Sequence, residues 1–475
     1  MKSLYQDTIV APATIPGTGA ISIIRVSGPD CISMVSSLVR LSSGDLSSAK
    51  GYTVHFGRVF NADGSLLDEV LVTVFRAPHS YTGEDAAEIS CHASSYIASE
   101  LIHLLTKAGA RYAEPGEFTR RAFLNGKMDL AQAEAVADVI ASETSASHRV
   151  AMNQLRGHYS QKLEALKAEL TDMASLLELE LDFSEEDVEF AQREQLISLV
   201  KSTLEHVDSL ASSFKLGNII KKGVPVAIVG PPNAGKSTLL NSLVGEERAI
   251  VSDIAGTTRD TIEETVNIDG ILFRFIDTAG IRESGDTIEQ LGIQRSLAKI
   301  SEASIIIGLL DSTSSADALI KSCSQLCSQI DFGAQTLIIA LNKLDLAGPE
   351  RVNKNVSIIN NFVSSYGYKA VVTSLQASSA DSVEALKKLM KSAVPDVFNT
   401  LDASFVTNER HYNALCESSN ALKAVLKSLT SGIPTELIAE DLRSAISSIS
   451  SILGHDLQDP DTILHTIFSR HCIGK

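Results

Sequence analysis

Eight consecutive residues carry the most specific chemical signal in this sequence. They read Gly-Pro-Pro-Asn-Ala-Gly-Lys-Ser over 230–237 and match the G-x-x-x-x-G-K-[ST] phosphate-binding loop. Glycines let backbone N–H groups turn toward phosphate oxygens, and the N-terminus of the following helix adds partial positive charge. Lys236 supplies a point charge for the β- and γ-phosphates, and the Ser237 hydroxyl is a ligand for Mg²⁺. The motif therefore predicts binding of a nucleoside triphosphate.

Two further motifs narrow the predicted nucleotide to GTP. The first, Asp-Thr-Ala-Gly at 277–280, allows Asp277 to hold Mg²⁺ through water and the Gly280 N–H to reach the γ-phosphate. The second, Asn-Lys-Leu-Asp at 342–345, gives Asp345 a carboxylate that accepts two N–H bonds from guanine. Adenine lacks that pair of donors and would leave the buried acid unpaired, so an ATP-dependent enzyme is disfavoured.

Hydrolysis requires positive charge at the phosphates and a group that positions water. Many GTPases carry a glutamine directly after the Asp-Thr-Ala-Gly motif, but this sequence has Ile281 there and no evident arginine finger. A monovalent cation beside the phosphates can supply the positive charge, and the Asn233 side-chain oxygen is placed to coordinate such a cation. The switch loop at 252–260 offers backbone carbonyls, which K⁺ prefers, and a threonine for the Mg²⁺ shell. Glu289 is the nearest downstream carboxylate for a general base, although an exposed helix start also favours glutamate.

The elements around these motifs predict a nucleotide-binding domain over 218–388. Strands and helices alternate there, which is the pattern of a parallel sheet covered on both faces. The phosphate loop follows an apolar strand, 224–229, and precedes a helix that begins near Ser237. Further strands are predicted at 271–276, 304–310 and 336–341. Strand, glycine loop and helix are the context that the phosphate-loop motif requires.

The rest of the chain is predicted to be α+β in 1–125 and helical in 126–217 and 389–475. The strands and the helix predicted in the first segment are 21–26, 70–75 and 96–107. An apolar stripe at helical spacing in the second segment consists of Leu163, Leu166, Leu170, Met173, Leu177 and Leu181. We therefore expect one helical domain with the nucleotide-binding domain inserted between its two halves.

Composition places the chain among ordinary globular proteins. Hydrophobic residues make up 44% and charged residues 21% of its 475 residues. The formal net charge of −17 argues against a protein that coats nucleic acid with its whole surface, but it is compatible with a local basic patch. The six cysteines are scattered without a C-x-x-C pair, and neither a signal peptide nor an apolar run of membrane-spanning length is visible. A reduced, cytoplasmic compartment and no membrane span are therefore expected.

Several longer motifs resemble the MnmE/TrmE family of tRNA modification GTPases. They are G-x-P-N-A-G-K-S, D-I-A-G-T-T-R-D, D-T-A-G-I-R-E, P-G-E-F-T-R-R-A-F-L-N-G-K-M-D-L-A-Q-A-E-A and the terminal C-I-G-K. The resemblance covers the whole chain. It implies an N-terminal α+β domain that binds tetrahydrofolate and forms a homodimer, a central helical domain, and an inserted Ras-like P-loop G domain whose GTPase activity depends on K⁺ and Mg²⁺.

The resemblance also implies a partner and a reaction. The partner is an FAD-containing subunit of the glucose-inhibited division protein A family, with which the homodimer would form a heterotetramer. Together they would add an aminomethyl-type (carboxymethylaminomethyl) group to the wobble uridine of certain tRNAs, with 5-formyl- or 5,10-methylene-tetrahydrofolate as the folate. The alternative is a ribosome- or assembly-associated GTPase switch without modification chemistry, which would need neither the N-terminal domain nor the C-I-G-K end.

Matching motif positions carry the family's site residues onto this chain. The implied K⁺ ligands are Asn233, Ser252, Ile254 and Thr257, and the implied Mg²⁺ ligands are Ser237 and Thr258. The implied GTP contacts are Asn233, Ala234, Gly235, Lys236, Ser237, Thr238, Ser252, Asp253, Ile254, Ala255, Gly256, Thr257, Thr258, Asp277, Thr278, Ala279, Gly280, Asn342, Lys343 and Asp345. The implied catalytic residues are Glu289, Asp277 and Cys472, and the implied folate contacts are Arg25, Glu84, Lys127 and Lys475. Three places depart from the family pattern. Gln376 replaces a serine in the guanine-capping loop, His471 replaces a phenylalanine before Cys472, and residues 454–458 lack the usual Gly-Glu pair after the preceding helix.

Overall fold

The computed structural model describes residues 7–182, 193–245, 264–276, 301–394, 405–431, 435–455, 460–469, 471 and 474. The chain divides into two compact units. The first comprises 1–141, 151–209 and 413–475, and the second comprises 142–150 and 210–412. The second unit contains the segment that is predicted to bind the nucleotide, whereas the domain boundaries derived from the sequence stay a prediction.

A largely antiparallel sheet forms the N-terminal part of the first unit. Its strands are β1 Ile9–Pro12, β2 Ile21–Ser27, β3 Val39–Leu41, β4 Thr53–Phe60, β5 Leu66–Phe75, β6 Ala86–His92 and β7 Arg111–Tyr112. They lie in the order β3-β4-β5-β6-β2-β1-β7, with β1 and β7 parallel. Helices α1 Cys31–Leu38, α2 Ser95–Lys107 and α3 Glu117–Leu124 follow in the same part of the chain. These elements confirm the α+β prediction, including the two strands and the helix predicted for this segment.

Alternation along the strands places the core of this part on one face of the sheet. In β5, Val70, Val72 and Val74 are buried, whereas Glu69 and Leu71 are exposed. The buried valines join apolar side chains of α1 and α2 in one cluster. This burial leaves the opposite face of β2 and β6 available for polar side chains.

Helices follow the sheet along the chain. They are α4 Leu130–Ile140, α5 Ser145–Leu155, α6 His158–Asp182 and α7 Arg193–Ser212. A capping box starts α4, because Asp129 accepts a bond from the Gln132 N–H (2.8 Å) and the Gln132 side chain accepts one from the Asp129 N–H (3.0 Å). The predicted apolar stripe lies on α6, where its members from Leu163 to Leu177 are buried. The side chain of Leu181 lies outside the described residues.

A six-stranded sheet with flanking helices forms the second unit. Its elements are α8 Phe214–Lys222, β8 Val224–Val229, α9 Lys236–Gly245, β9 Glu264–Ile268, β10 Ile271–Phe275, β11 Ile305–Asp311, α10 Ala316–Cys327, β12 Thr336–Asn342, α11 Leu344–Ala347, α12 Pro349–Ser365, β13 Ala370–Ser374 and α13 Ala380–Ser392. The strand order is β13-β12-β11-β8-β10-β9. Separate apolar clusters cover the two faces of this sheet, as expected for a doubly covered α/β sheet.

The predicted parallel sheet carries one antiparallel strand at its edge. Strand β9 pairs antiparallel with β10, whereas the other neighbouring strands are parallel. The two strands are joined by Asp269 and Gly270, both with positive φ (49° and 85°), as a tight hairpin turn requires. An Asp-Gly pair between apolar segments is a known hairpin signal, so the sequence did contain the information.

Three helices end the chain and confirm the predicted helical second half. They are α14 Glu409–Ser431, α15 Thr435–Leu453 and α16 Pro460–Phe468. Among the described helices of the whole chain, none combines the length and the apolar character needed to cross a membrane.

A buried ion cluster stabilises the N-terminal part of the first unit. The Arg121 guanidinium is fully buried and donates to carboxylates of Asp7 (2.7 Å), Glu117 (3.0 Å) and Glu84 (3.3 Å). Burial alone would raise the pKa of Glu117, but hydrogen bonds from Arg111, the Glu114 N–H and Arg121 outweigh it and hold the pKa below its usual range. Glu117 therefore stays ionised beside the buried Arg121 guanidinium.

Replacing this arginine by leucine should strongly destabilise the fold. Arg121→Leu leaves the buried Glu117 with less compensation, which we expect to cost about 3–5 kcal/mol. The free energy of unfolding of the full chain, from urea titration followed by circular dichroism, measures the loss. The matched control is Arg58→Leu, whose exposed pair with Glu69 contributes less than about 1 kcal/mol.

The same cluster sets the acid stability of the wild-type chain. Folding lowers the pKa of Glu117, so its ionisation contributes to the free energy of unfolding. This contribution is complete at pH values above the pKa of an ordinary carboxyl group. It disappears as the pH falls through the lower pKa that Glu117 has in the folded chain. Arg121→Leu should flatten this acid limb of the stability curve. Equal urea midpoints for wild type and Arg121→Leu at neutral pH would contradict the assigned role.

Candidate functional site

The phosphate loop connects β8 to α9 and adopts a strained conformation. Gly230 and Gly235 have φ values of 157° and 98°, and Asn233 has a φ of 60°, which is uncommon for a residue with a side chain. The Lys236 ammonium donates to the carbonyl oxygens of Gly230 (3.0 Å) and Pro231 (2.9 Å) and so lies over the loop. The loop thus directs its lysine to the place where phosphates would bind.

Asn342, the last residue of β12, joins the phosphate loop to a second loop. Its Nδ2 donates to the Ala234 carbonyl (2.8 Å), and its Oδ1 accepts from the Ala377 N–H (3.0 Å), both in buried surroundings. A Cβ added to Gly235 would lie 2.3 Å from Asn342 Nδ2, so only glycine fits at that position. The predicted phosphate-binding and guanine-binding motifs therefore meet in one place.

The guanine-binding motif ends in a short helix. Lys343 is the N-cap of α11 and has a φ of 66°, and Asp345 lies exposed in the first turn of that helix. Gln376 is in the guanine-capping loop, where its Nε2 lies 3.5 Å from Ser378 Oγ, at the limit of a hydrogen bond. Ala377 beside it is buried and holds Asn342. The contact that links the two loops is thus made by the backbone of Ala377 and not by the Gln376 side chain.

Several predicted site residues lie outside the described part of the chain. They are Ser252, Asp253, Ile254, Ala255, Gly256, Thr257, Thr258, Asp277, Thr278, Ala279, Gly280, Glu289, Cys472 and Lys475. Of the predicted metal ligands, the structure describes Asn233, which is exposed, and Ser237, which is half-buried in the first turn of α9. Amide and hydroxyl oxygens are donors that suit K⁺ and Mg²⁺, so both residues fit these ions.

A second candidate site is a cavity of about 160 Å³ in the N-terminal sheet. Its lining consists of Arg25, Ser27, Phe75, Tyr81, Thr82, Ala86, Glu88 and Phe118. The Arg25 Cζ lies 5.7 Å from the ring centroids of both Tyr81 and Phe118. Aromatic rings and one arginine side by side suit a flat, polar heteroaromatic ligand.

Arg25 is held by three hydrogen bonds. Its Nε and Nη2 donate to Glu88 Oε1 (2.9 and 2.8 Å), and its Nη1 donates to the Gly474 carbonyl (2.9 Å). The C-terminal tail therefore reaches this cavity. Arg25 lies within β2 rather than at its end, opposite Glu88 of β6 in the strand register.

Of the other predicted folate contacts, the structure describes Glu84 and Lys127. Glu84 accepts from Ser27 Oγ (2.9 Å) and from Arg121, and it lies behind the lining residues Ser27 and Thr82. Lys127 is exposed and donates to the Pro78 carbonyl (2.9 Å). The structure thus places Arg25 in the cavity wall and connects Glu84 to that wall through the hydrogen bond from Ser27.

His471 packs where the tail approaches the sheet domain. It is buried, and its ring lies edge-on to Phe468 with centroids 5.2 Å apart. Burial lowers the pKa of His471, although the acids Glu134 and Asp138 oppose the shift. A Cβ on Gly116 would lie 2.9 Å from His471 Cβ, so the tail contacts the backbone of that glycine closely. The histidine therefore fills an aromatic position in an uncharged form.

Comparisons with known proteins show which family this sequence matches. The sequence-family model described as the GTP-binding protein TrmE N-terminus matches residues 8–127. The sequence-family model described as the MnmE helical domain matches residues 130–472. The tRNA modification GTPase MnmE of Bacteroides thetaiotaomicron is 47% identical over 475 residues, covering 99% of this chain and 100% of that protein.

The chain belongs to the MnmE/TrmE family. The MnmE of Porphyromonas gingivalis is 46% identical over 487 residues, covering 100% of this chain and 99% of that protein. Among solved structures, Aquifex aeolicus Era bound to GDP and AlF₄⁻ is 27% identical with a TM-score of 0.28, covering 42% of this chain and 66% of that chain. The predicted family and its multidomain fold class, with an N-terminal domain, a helical domain and a P-loop GTPase domain, are confirmed.

Reasoning from the sequence missed residues that this MnmE-family chain uses around both sites. Glu88 binds Arg25, and Asp311 binds Lys343 (2.7 Å). Each is a strand residue whose partner lies on a neighbouring strand or just beyond its end, so only the register reveals the pair. The sequence does contain one weak indication of Asp311, because an acid directly follows an apolar strand there, as in the Asp-Thr-Ala-Gly motif.

Proposed function

We propose that this MnmE-family GTPase hydrolyses GTP in a K⁺-dependent reaction and acts in tRNA modification. With an FAD-containing partner of the glucose-inhibited division protein A family, it would add a carboxymethylaminomethyl-type group to the wobble uridine of certain tRNAs. Support comes from family membership and from relatives that are named tRNA modification GTPases over nearly their whole length. The single observation that carries the GTP site is the Asn342 bridge between the phosphate loop and the guanine-capping loop.

Each described residue of the GTP site has a definite task in this proposal. Lys236, already directed over the loop, would bind the β- and γ-phosphates. Asp345 would accept the two guanine N–H groups, and Asn342 would keep base and phosphate loops at a fixed separation. Ser237 with Thr258 would hold Mg²⁺, which neutralises charge on the phosphates when bound.

The proposed K⁺ site lies at the phosphate loop and the switch loop. Asn233 would provide a side-chain oxygen, and Ser252, Ile254 and Thr257 would complete the coordination. Support comes from the left-handed backbone and exposed position of Asn233, which place a polar side chain at the loop surface. K⁺ bound there supplies the positive charge that an arginine finger supplies in other GTPases.

Glu289 is proposed to orient the attacking water as the general base, since Ile281 has no polar group. Glu289→Ala should leave the dissociation constant for GTP within twofold and lower the hydrolysis rate by about 10²–10⁴-fold, the usual contribution of such a base. Fluorescent GTP titration and phosphate release measure the two quantities. The control Glu350→Ala removes an exposed acid in the first turn of α12 and should change neither. Retained hydrolysis in Glu289→Ala would assign the carboxylate a purely structural role.

The N-terminal cavity is proposed to bind 5-formyl- or 5,10-methylene-tetrahydrofolate. Its aromatic walls and its paired Arg25 and Glu88 fit the flat, hydrogen-bonding ring system of a pterin. A folate bound there supplies a one-carbon unit. Glu84, Lys127, Lys475 and Cys472 would complete the site, with Gly474 already bonded to Arg25.

Loss of Arg25 should weaken folate binding. Arg25→Ala removes a charged donor, which we expect to raise the dissociation constant of the full chain for 5-formyl-tetrahydrofolate by about 10- to 100-fold. Isothermal titration calorimetry measures the constant. Arg58→Ala, which removes an arginine paired with Glu69 on the same sheet, is the control and should bind normally. An unchanged dissociation constant for 5-formyl-tetrahydrofolate in Arg25→Ala would show that this cavity is not the folate site.

The proposal also includes an assembly of this protein with its partner subunit. A homodimer formed through the N-terminal domains would join two partner subunits in a heterotetramer. The rival, a ribosome- or assembly-associated GTPase switch, has no use for the arginine-lined cavity to which the C-terminal tail is bonded. The cytoplasmic location stays a prediction.

A further inference from the structure

Asp311 lies directly beside the guanine-binding motif at 342–345 but is not one of its residues. It is the last residue of β11, and in the parallel register it is the partner of Asn342 at the end of β12. The next residue, Ser312, donates its N–H to the Asn342 carbonyl (3.0 Å). Two neighbouring strand ends thus bring Asp311 next to the residue that precedes Lys343.

The two carboxylate oxygens of Asp311 make different contacts. Oδ2 binds the Lys343 ammonium at 2.7 Å. Oδ1 accepts from the Thr313 N–H (2.9 Å) and from Thr313 Oγ1 (2.7 Å) and so caps the turn after β11. A change that affects only Oδ2 can therefore separate the lysine contact from the turn.

The lysine contact matters because the Lys343 backbone is in an unfavourable conformation. Its φ of 66° is in the left-handed region, which side-chain-bearing residues avoid. Lys343 is also the N-cap of α11, whose first turn carries Asp345. Whatever holds Lys343 in this conformation also sets the direction of Asp345.

The turn that carries Asp311 is itself anchored to α12. Arg351 donates to the carbonyl oxygens of Thr313 (2.6 Å) and Ser314 (3.2 Å), and Asn355 Nδ2 donates to the Ser312 carbonyl (3.0 Å) in a buried position. The carboxylate is therefore a fixed point rather than a mobile surface charge.

Asp311 is charged under ordinary conditions. Partial burial acts to raise its pKa, but hydrogen bonds from Lys343 and Thr313 outweigh this and hold the pKa below its usual range. A permanent negative charge beside a lysine of opposite charge gives a contact stronger than one between neutral groups.

We infer that Asp311 is a positioning residue for guanine recognition, holding Lys343 in the left-handed turn that presents Asp345 to the base. The inference rests on the proposed GTP site and adds a residue that acts through Lys343. It assigns the two oxygens separate tasks, with Oδ2 serving nucleotide binding and Oδ1 serving the turn.

The test compares matched variants of the full chain for GDP binding. Asp311→Asn keeps an acceptor for Thr313 but places an amide against the Lys343 ammonium, so the dissociation constant for GDP should rise by about 10- to 100-fold. Thr313→Val removes a hydrogen bond to Oδ1 alone and should stay within twofold of wild type. KM for GTP should rise with Asp311→Asn while kcat changes little, and a thermal melt checks that both variants fold.

A double-mutant cycle shows whether Asp311 acts through the lysine. Adding Asp311→Asn to Lys343→Met should cause no further loss of GDP affinity. Unchanged affinity in Asp311→Asn, an equal loss in Thr313→Val, or an independent loss on top of Lys343→Met would each overturn the inference.

Asp345→Asn serves as the reference for the underlying GTP site. A loss of GDP binding in Asp345→Asn with normal binding in Asp311→Asn overturns the inference alone. Normal GDP binding in Asp345→Asn overturns the proposed guanine site and the inference together.

Discussion

Replacing K⁺ by Na⁺ at equal ionic strength should lower the rate of GTP hydrolysis by roughly 10³-fold, the lower end of the contribution of an arginine finger. The sequence shows no evident arginine finger, so another group must neutralise charge in the transition state. Asn233 is exposed on the phosphate loop with a φ of 60°, and its side chain offers an oxygen at that surface. Selectivity for K⁺ over Na⁺ would follow from the number and spacing of such oxygens.

Two controls separate catalysis from binding in this experiment. The dissociation constant for GDP should be similar in both salts, since the proposed contacts of Lys236 and Asp345 with the nucleotide do not involve the cation. Asn233→Ala should hydrolyse GTP slowly in both salts. Equal hydrolysis rates of the wild-type chain in K⁺ and Na⁺ would show that the cation has no catalytic role.

Asp345→Asn should change the base that the chain binds. The variant replaces an acceptor of two guanine N–H groups by an amide, so affinity for GDP should fall by about 10³-fold or more. Xanthine carries a carbonyl where guanine carries its amino group, and the asparagine N–H can donate to it. Affinity for xanthosine diphosphate should therefore rise, as competition titrations with a fluorescent nucleotide would measure.

A neighbouring aspartate provides the matched control for that change. Asp381 is exposed in the first turn of α13, as Asp345 is in the first turn of α11. Asp381→Asn should keep the wild-type preference for GDP. A guanine preference that survives in Asp345→Asn would mean that other groups read the base.

The sequence predicts the second unit well because its signals are local. The strand predicted at 224–229 has the observed bounds, since an apolar run between Gly223 and Gly230 leaves no freedom in where it begins or ends. Both bordering glycines have positive φ, which explains why the strand ends there. Motif residues such as Asn342 were predicted because their spacing along the chain is itself the signal.

Pairs across strands could not be predicted in the same way. The family resemblance implies Arg25, but its partner Glu88 is 63 positions away, and only the antiparallel register of β2 and β6 joins them. Asp311 likewise depends on the register of β11 with β12. A single sequence carries little information on register between distant strands, because the same alternation fits several pairings.

The buried arginine shows a second limit. Arg121 lies between basic and apolar residues of α3, where the sequence favours an exposed charge. It is buried because Asp7, Glu84 and Glu117 come from three separate segments to surround it. Such a cluster is a property of the assembled fold.

The role in tRNA modification is tested most directly by nucleoside analysis of tRNA from cells that lack this chain. The modified wobble uridine should disappear, return with the wild-type gene, and stay absent with Glu289→Ala, which is expected to bind GTP without hydrolysing it. An unchanged wobble uridine in cells without the chain would contradict the account, even if the purified protein hydrolyses GTP.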